Sequence, residues 1–163
     1  MAKKKVTKTN AIRLIEQQKI SYTEHEYEWK EDHLGADTVA KQLAADNIFK
    51  TLVAVGNKNG PLVAVIPANK ELDLKKIAKA SGNKKVEMLH LRDLETTTGY
   101  IRGGCSPIGM KKLFPTYIDQ SATTFATITI SAGRRGLQME LAPKDLAKVV
   151  RGEFVDITEE LMN

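Results

Sequence analysis

Residues 49–66 read FKTLVAVGNKNGPLVAVI, two apolar runs on either side of a short polar segment. Each run has the length and composition of a strand, and the polar segment has the composition of a turn. The Asn59-Gly60 pair within it tolerates the positive φ of a tight turn. The stretch therefore predicts a β-hairpin, with strands within residues 49–55 and 62–66.

Upstream of this hairpin, the sequence predicts a helix, a strand and a second helix. Apolar residues recur at helical spacing behind the capping candidates Thr9 and Asn10, and this helix is predicted to end near Lys19. Residues 21–29 change to period two, which predicts a half-buried strand with one face formed by Thr23, His25, Tyr27 and Trp29. Helical spacing returns within residues 37–44.

Downstream of the hairpin, short helices and strands are predicted to alternate. Asp73 is placed to cap a helix that stops at Ser81-Gly82. A strand is predicted within residues 86–89, followed by a short helix within residues 91–98 that stops at Gly99. Strands are predicted within residues 125–131 and 137–141, a helix from Pro143 to residue 150, and an edge strand within 154–157. These elements predict an α+β fold with a mixed, largely antiparallel sheet surrounded by short helices.

Size and composition indicate one domain inside a reducing compartment. The chain has 163 residues, of which 42% are hydrophobic, so we expect a basic tail at residues 1–9 and one domain at 10–158. One cysteine permits no intrachain disulfide, and the three histidines, His25, His33 and His90, lack zinc spacing. No window reaches the roughly 18 apolar residues of a membrane span. We expect a cytoplasmic protein without metal or cofactor.

The loop GGCSPIG, residues 103–109, is the most unusual segment of the sequence. Its paired glycines, Gly103 and Gly104, would let backbone N–H groups approach a substrate carbonyl, while Pro107 stiffens the turn behind Ser106. The alternative is an ordinary structural turn. Cys105 lies near glycine amides, but no histidine base adjoins it, so a nucleophilic role is disfavoured.

Three motifs in this order resemble those of the YbaK/EbsC editing proteins. They are FKTL at residues 49–52, G-G-x-S-P-x-G at 103–109, and G-x-x-G-L at 133–137 followed by E-L-A-P-x-D-L at 140–146. The resemblance extends from the first helix to residues 154–157. It implies the fold of the prolyl-tRNA synthetase editing domain and a metal-free deacylase acting mainly on Cys-tRNA(Pro), with Cys-tRNA(Cys) as a further substrate.

The resemblance also implies a set of site residues. The proposed catalytic set is Lys50, Tyr27 and Asp145, and the proposed substrate-binding set is Gly103, Gly104, Ser106, Pro107, Gly109 and Gly133. Lys50 could hold the terminal adenosine or a phosphate, and the Tyr27 hydroxyl could contact the amino acid or the ribose. The structural alternatives are an edge lysine, a core tyrosine and, for Asp145, a carboxylate that complements a helix dipole.

In the implied mechanism, the cysteinyl thiol attacks its own ester carbonyl, so the protein supplies positioning. One alternative is an Ala-tRNA(Pro) deacylase that uses water, and another is a noncatalytic module that binds oligonucleotides or nucleotides. The expected partners are the acceptor end of aminoacyl-tRNA and prolyl-tRNA synthetase, with the chain itself a monomer. The net charge of +5 is compatible with tRNA, and basic pairs such as Arg134-Arg135 either contact phosphates or form solvated faces.

Overall fold

Two β-sheets form the framework of the fold in the computed structural model, which describes residues 8–27 and 47–160. The strands are β1 (Thr23–Glu26), β2 (Phe49–Gly56), β3 (Gly60–Pro67), β4 (Val86–Met88), β5 (Thr116–Asp119), β6 (Ile128–Arg134), β7 (Leu137–Leu141) and β8 (Glu153–Val155). The described helices are α1 (Asn10–Gln17), α2 (Leu74–Ser81), α3 (Leu94–Thr98) and α4 (Pro143–Val150), with short 3₁₀ helices at Leu91–Asp93 and Gln120–Thr124.

Strand pairing is mixed and mostly antiparallel, which confirms the predicted fold class. The first sheet has the order β1-β7-β6 and is antiparallel throughout. The second has the order β4-β2-β3-β5-β8, with parallel pairing of β3 to β5 and of β5 to β8. The strands thus divide into two sheets, which a parallel bridge between Ile48 and Thr129 connects. Stacking two sheets face to face buries one apolar face of each.

The main apolar core lies between the two sheets. The β2-β3 hairpin contributes Phe49, Val63 and Val65, and the helices α1 and α4 cover its margins. The first sheet contributes Ile130 and Met139. A second apolar cluster lies on the other face of the hairpin, under α2. Because the hairpin is buried on both faces, residues 62–66 form a continuous apolar run rather than an alternating one.

The predicted starts and stops of the helices are confirmed where the structure describes them. The Thr9 hydroxyl oxygen accepts a hydrogen bond from the Ile12 N–H at 3.2 Å and caps α1. The Asp73 carboxylate caps α2 in the same way. Gly82 and Gly99 end their helices with φ of 75° and 88°, in the left-handed region that favours glycine.

Three features differ from the sequence predictions. Within the predicted strand 21–29, the described residues form β1 at Thr23–Glu26, and Tyr27 lies outside it. The strand predicted within residues 125–131 is β6 at Ile128–Arg134, because the preceding residues form the 3₁₀ helix Gln120–Thr124, and the parallel strand β5 was not predicted. Four residues that pair with neighbours distant in sequence leave little local signal. The helix predicted within residues 37–44, and the assignments of Trp29 and His33, fall outside the described residues. None of the helices described in residues 8–27 and 47–160 has the length and apolar character needed to span a membrane.

Candidate functional site

The glycine loop, residues 103–109, packs against the turn that joins β6 to β7. A Cβ atom at Gly104 would lie 2.9 Å from backbone atoms of Arg134 and Arg135, which is closer than real Cβ contacts. On the same side, Nε of Arg135 donates a hydrogen bond to the Arg102 carbonyl oxygen at 2.8 Å. The glycine at position 104 therefore permits a backbone-to-backbone approach that no other residue would allow.

Tyr100 and the start of α1 hold the other end of the glycine loop. The Tyr100 hydroxyl donates a hydrogen bond to the Ile108 carbonyl oxygen at 2.7 Å. Gly109 has a φ of 81°, and a Cβ atom there would lie 2.8 Å from that hydroxyl oxygen and 3.1 Å from the Ala11 nitrogen. Gly103 also has a positive φ of 85°. The loop is thus fixed at both ends before any substrate binds.

Most of the glycine loop is buried. Ser106 is fully buried, and its hydroxyl oxygen accepts a hydrogen bond from the Ile108 N–H at 3.2 Å. The Ser106 hydroxyl therefore orders the loop from within. Pro107 is buried as well, and Gly103 and Gly109 are the partly exposed members of the loop. A substrate would therefore reach the loop at Gly103 or Gly109, with Ser106 and Pro107 behind them.

Cys105 lies in an apolar cluster with Val53 and Tyr100. Burial raises the pKa of the Cys105 thiol to about 12, and the nearby Thr98 hydroxyl opposes this shift only in part. A thiol with this pKa is protonated at neutral pH, and a protonated thiol is a poor nucleophile. The environment therefore opposes a nucleophilic role for Cys105, in agreement with the sequence analysis.

We expect Cys105 to react slowly with iodoacetamide in the native protein. At pH 8 the thiolate fraction for a pKa of about 12 is far below that of an ordinary cysteine, for which the reference value is 9.0. The native rate should be lower than the rate in urea by roughly 1000-fold. Mass spectrometry of time points in the two conditions measures both rates. Equal rates would show that the thiol is accessible and ionised, and would revive the covalent alternative.

A β-bulge near the end of β6 contains Gly133, next to the β6-β7 turn against which the glycine loop packs. The pairing of β6 with β7 shifts between Ser131 and Arg134, and Gly133 within the bulge has a φ of 104°. Its N–H donates to the Ser131 hydroxyl oxygen at 3.2 Å, and a Cβ atom there would lie 3.0 Å from the Cβ of Thr9. The bulge, the glycine loop and the start of α1 therefore meet at one place.

The predicted catalytic residues lie on three different elements. Tyr27 directly follows β1 and lies beside the β6-β7 turn, because its N–H donates to the Gly136 carbonyl oxygen at 3.0 Å. Lys50 lies on β2 opposite Ile66, on the other face of the strand from the core residue Phe49. Asp145 lies in the first turn of α4, which follows the far end of β7. Among the described residues, no hydrogen bond joins any two of these three.

A row of polar residues on the first sheet was missed by the sequence analysis. In β6 and β7, polar residues alternate with core residues, and the pairs Thr129–Glu140 and Ser131–Gln138 lie directly opposite each other. Thr129 and Gln138 are only 4% and 5% exposed. Period-two alternation in residues 128–132 and 137–141 was the available signal. The side chains that share this side of the sheet form what we call the polar face: Thr23, His25, Tyr27, Thr129, Ser131, Gln138 and Glu140.

Three buried polar side-chain atoms lack partners within the part of the chain that the structure describes. They are the amide oxygen Oε1 of Gln138, which lies on the polar face, Nε of Arg134 and the Thr51 hydroxyl oxygen. Buried polar groups are normally hydrogen-bonded, so such atoms are typical of sites that receive a polar ligand. Gln138 offers an acceptor, and Arg134 offers a charged donor beside the glycine loop. We therefore take the polar face and the glycine loop together as the candidate site.

A surface cavity of about 600 Å³ lies elsewhere, between the end of β3 and the 3₁₀ helix Gln120–Thr124. Pro67, Lys70 and Phe125 are among the residues that line it, and none of the predicted site residues does. Its carboxylate Asp119 already accepts hydrogen bonds from Ser121 and from the Ile157 N–H. Across residues 8–27 and 47–160, no three His, Cys, Asp or Glu side chains are grouped as metal ligands would be.

Solved structures with the same fold cover nearly the whole chain. A crystal structure assigned as a trans-editing enzyme for prolyl-tRNA synthetase matches with a TM-score of 0.78 at 21% identity, covering 95% of this chain and all of the other. The hypothetical protein APE2540 matches with a TM-score of 0.83 at 20% identity, covering 92% of this chain and 99% of the other. At these identities, the likeness concerns the fold.

Sequence comparison identifies the family. EbsC of Enterococcus faecalis, assigned as a Cys-tRNA(Pro)/Cys-tRNA(Cys) deacylase, is 63% identical over 161 residues, which cover 97% of this chain and 98% of EbsC. The uncharacterised protein YwhH of Bacillus subtilis is 29% identical over 69% of this chain and 70% of its own length. A model of the aminoacyl-tRNA editing domain matches residues 32–149. The resemblance drawn from the three motifs is thus confirmed, and the chain belongs to the aminoacyl-tRNA editing domain family.

Proposed function

We propose that this protein is a trans-editing deacylase that removes cysteine from mischarged Cys-tRNA(Pro), with Cys-tRNA(Cys) as a second substrate. The observation that carries the proposal is the 63% identity to EbsC over 97% of the chain. The fixed glycine loop supports it, because a backbone N–H held in place at the partly exposed Gly103 suits the polarisation of an ester carbonyl. We place the reaction in the cytoplasm, where aminoacyl-tRNA is made and used.

In the proposed reaction, the thiol of the bound cysteine attacks the carbonyl carbon of its own ester. A sulfur–carbon bond forms, the ester carbon–oxygen bond breaks, and the thiol proton passes to the departing ribose oxygen. The products are the free tRNA and a cyclic thiolactone. Because the nucleophile belongs to the substrate, the protein needs to hold the thiol close to the carbonyl and to exclude competing geometries.

The residues of the chain have distinct parts in this proposal. The N–H of the partly exposed Gly103 polarises the carbonyl, while the Gly104 N–H donates to the Ile101 carbonyl oxygen at 2.9 Å and fixes the turn. The Tyr27 hydroxyl contacts the amino acid or the ribose. Lys50 holds the terminal adenosine or its phosphate through its ammonium group. Asp145 is retained as a candidate, although its place in the first turn of α4 also suits a carboxylate that complements the helix dipole.

The substrate prediction is tested by deacylation of three charged tRNAs. Cys-tRNA(Pro), Ala-tRNA(Pro) and Pro-tRNA(Pro) carrying radiolabelled amino acids are compared at equal concentration, and the small-molecule product is identified. We expect release of cysteine at least about 100-fold faster than release of alanine or proline, with a thiolactone as the first product. Free alanine from Ala-tRNA(Pro) would instead establish the water-dependent alternative.

The noncatalytic alternative predicts a different result in the same assay. A binding module would retain tRNA in a filter assay and release none of the three amino acids. Binding through the basic surface, including Arg134 and Arg135, should weaken as salt rises in either case. Salt dependence therefore does not separate the two functions, whereas release of the amino acid does.

The proposal also includes a partner and an oligomeric state. We propose that prolyl-tRNA synthetase is the partner and that the chain itself is a monomer.

The Cys105→Ala variant separates substrate-assisted cleavage from covalent catalysis. We expect its kcat/KM for Cys-tRNA(Pro) to stay within about twofold of the wild type, because the buried, protonated thiol takes no part. The free energy of unfolding should fall by about 1 kcal/mol, since a small buried group is removed. Circular dichroism confirms the fold before the kinetics. A folded variant without activity would show that Cys105 is the nucleophile.

A further inference from the structure

The carboxylate of Glu140 accepts hydrogen bonds from three segments of the chain. His25 on β1 contacts one carboxylate oxygen through Nε2 at 2.8 Å. The other oxygen accepts from the hydroxyl of Thr127, which precedes β6, and from the side-chain amide of Asn47 at 3.5 Å. The Asn47 amide also donates to the Thr127 carbonyl oxygen at 2.8 Å. One side chain thus fixes residues that are distant in sequence.

These contacts lie where the chain passes from one sheet to the other. The carbonyl oxygen of Asn47 accepts a hydrogen bond from the Thr129 N–H at 2.9 Å, on the first sheet. The next residue, Ile48, bridges to Thr129 and accepts from the Ala68 N–H at 2.8 Å, beyond the end of β3. Lys50 follows two residues later on β2. The position of Lys50 relative to the first sheet is therefore set within three residues of Asn47.

The hydrogen bonds of Glu140 form two arms, one through Asn47 to the start of β2 and one through His25 to the segment that carries Tyr27. His25 lies on the same side of β1 as Tyr27, two residues before it, and both belong to the polar face. Its hydrogen bond to Glu140 crosses from β1 to β7, in addition to the backbone pairing of the two strands. Glu140 is thereby connected to the segment that carries Lys50 and to the segment that carries Tyr27.

We propose that Glu140 is a positioning residue, which fixes the start of β2 and the end of β1 so that Lys50 and Tyr27 are held in one geometry. The proposal rests on the proposed deacylase function for its kinetic consequence. In this proposal Glu140 acts through its hydrogen bonds to Asn47 and His25, which occupy both of its carboxylate oxygens, and not through the reacting atoms. Two short arms that meet at one carboxylate leave little freedom for either segment to shift alone.

The charge of Glu140 strengthens both arms. The hydrogen bonds from Thr127 and His25 lower the pKa of Glu140 below its ordinary value, against a smaller opposing effect of burial. The carboxylate is thus ionised at neutral pH, and hydrogen bonds to an ionised acceptor are roughly twice as strong as neutral ones. A glutamine at this position would keep the shape without the charge: its carbonyl oxygen accepts from Thr127 and Asn47, and its amide N–H donates to an unprotonated Nε2 of His25.

The test compares kinetics of Glu140→Ala and Glu140→Gln on Cys-tRNA(Pro). We expect Glu140→Ala to lower kcat about 10- to 100-fold with KM within about twofold, because misplacement of about 1 Å has effects of this size. Glu140→Gln should recover most of kcat, since it restores both arms. In the amide NMR spectrum, the signals of Lys50 and Tyr27 should shift in Glu140→Ala and return in Glu140→Gln.

The matched control is Asn83→Ala, at the opposite end of β2. Asn83 is buried and accepts hydrogen bonds from the N–H groups of Lys58 and Asn59, so its loss removes a comparable network. This variant should be destabilised while kcat stays unchanged. An equal loss of kcat in Asn83→Ala and Glu140→Ala would show a general effect of stability and overturn the proposal.

Two single-arm variants and the NMR measurement separate the positioning role from misfolding and from failure of the proposed function. Should Glu140→Ala fail to fold, Asn47→Ala and His25→Ala each remove one arm, and each is expected to lower kcat while KM is retained. Wild-type protein that releases no amino acid would contradict the proposed function alone, because the NMR signals of Lys50 and Tyr27 would still report their positions. The positioning role would be overturned if the amide signals of Lys50 and Tyr27 stayed unchanged in folded variants Glu140→Ala, Asn47→Ala and His25→Ala.

Discussion

The Gly104→Ala variant is expected to lose most of its deacylase activity and about 2 kcal/mol of unfolding free energy. The added Cβ would lie 2.9 Å from the backbone of Arg134 and Arg135, and backbone atoms have no alternative rotamer into which they could move. The loop and the β6-β7 turn must separate, which displaces the backbone of the neighbouring Gly103, the proposed donor to the ester carbonyl. For a chain of this length, the midpoint of thermal unfolding should fall by about 6 °C.

Gly152→Ala is the matched control for this prediction. Gly152 also lacks a positive φ, and a Cβ there would lie 3.0 Å from Cδ1 of Ile118, the far end of a side chain that can adjust. We expect its unfolding midpoint to change by less than about 3 °C and its kcat/KM to stay at the wild-type value. Wild-type stability and activity in Gly104→Ala would show that the loop and the turn do not need their close contact.

Local signals predicted the elements whose formation depends on local chemistry. The Thr9 and Asp73 caps and the glycines at 82 and 99 were found because caps and left-handed stops act within four residues. The β2-β3 hairpin was found because its turn is as distinctive as its strands, with Gly60 at a φ of 72°. None of these features required knowledge of what the element packs against.

Contacts between distant segments explain what the sequence did not predict. The strand β5 is held by parallel pairing to β3 and β8, and its four residues carry no turn or period that would mark them. The division into two sheets depends on how the hairpins stack, which period-two patterns do not encode. The polar face was visible as alternation in β6 and β7, but its burial, as at Gln138, depends on tertiary packing.

The candidate site was partly predictable for the same reason. The glycine loop stood out in the sequence because glycine and proline act locally, and the structure shows it fixed against Arg134 and Arg135. The sequence could not show that Ser106 faces inward or that Glu140 joins β1 to the start of β2. Both facts follow from neighbours more than 20 residues away or from burial within the fold.

The Lys50→Ala variant is expected to lower kcat/KM for Cys-tRNA(Pro) by about 100-fold while the protein remains folded. Loss of a charged hydrogen bond costs about 1.5–3 kcal/mol, and 2.7 kcal/mol corresponds to about 100-fold. Stability should change little, because Lys50 makes no hydrogen bond or ion pair with the residues that the structure describes. Deacylation rates at several substrate concentrations, together with thermal unfolding, measure both effects.

Lys58→Ala is the control that separates a site role from a general effect of charge. Lys58 lies exposed in the turn of the same hairpin, so its removal lowers the net charge equally while leaving the start of β2 intact. We expect its kcat/KM to stay within about twofold of the wild type, because one exposed charge contributes little to a screened encounter. Equal losses in the two variants would reduce Lys50 to part of a diffuse basic surface. Wild-type activity in Lys50→Ala would show that Lys50 is not part of the site. Arg134 would then be the next candidate for holding the terminal adenosine, because its buried Nε has no hydrogen-bond partner within the described part of the chain.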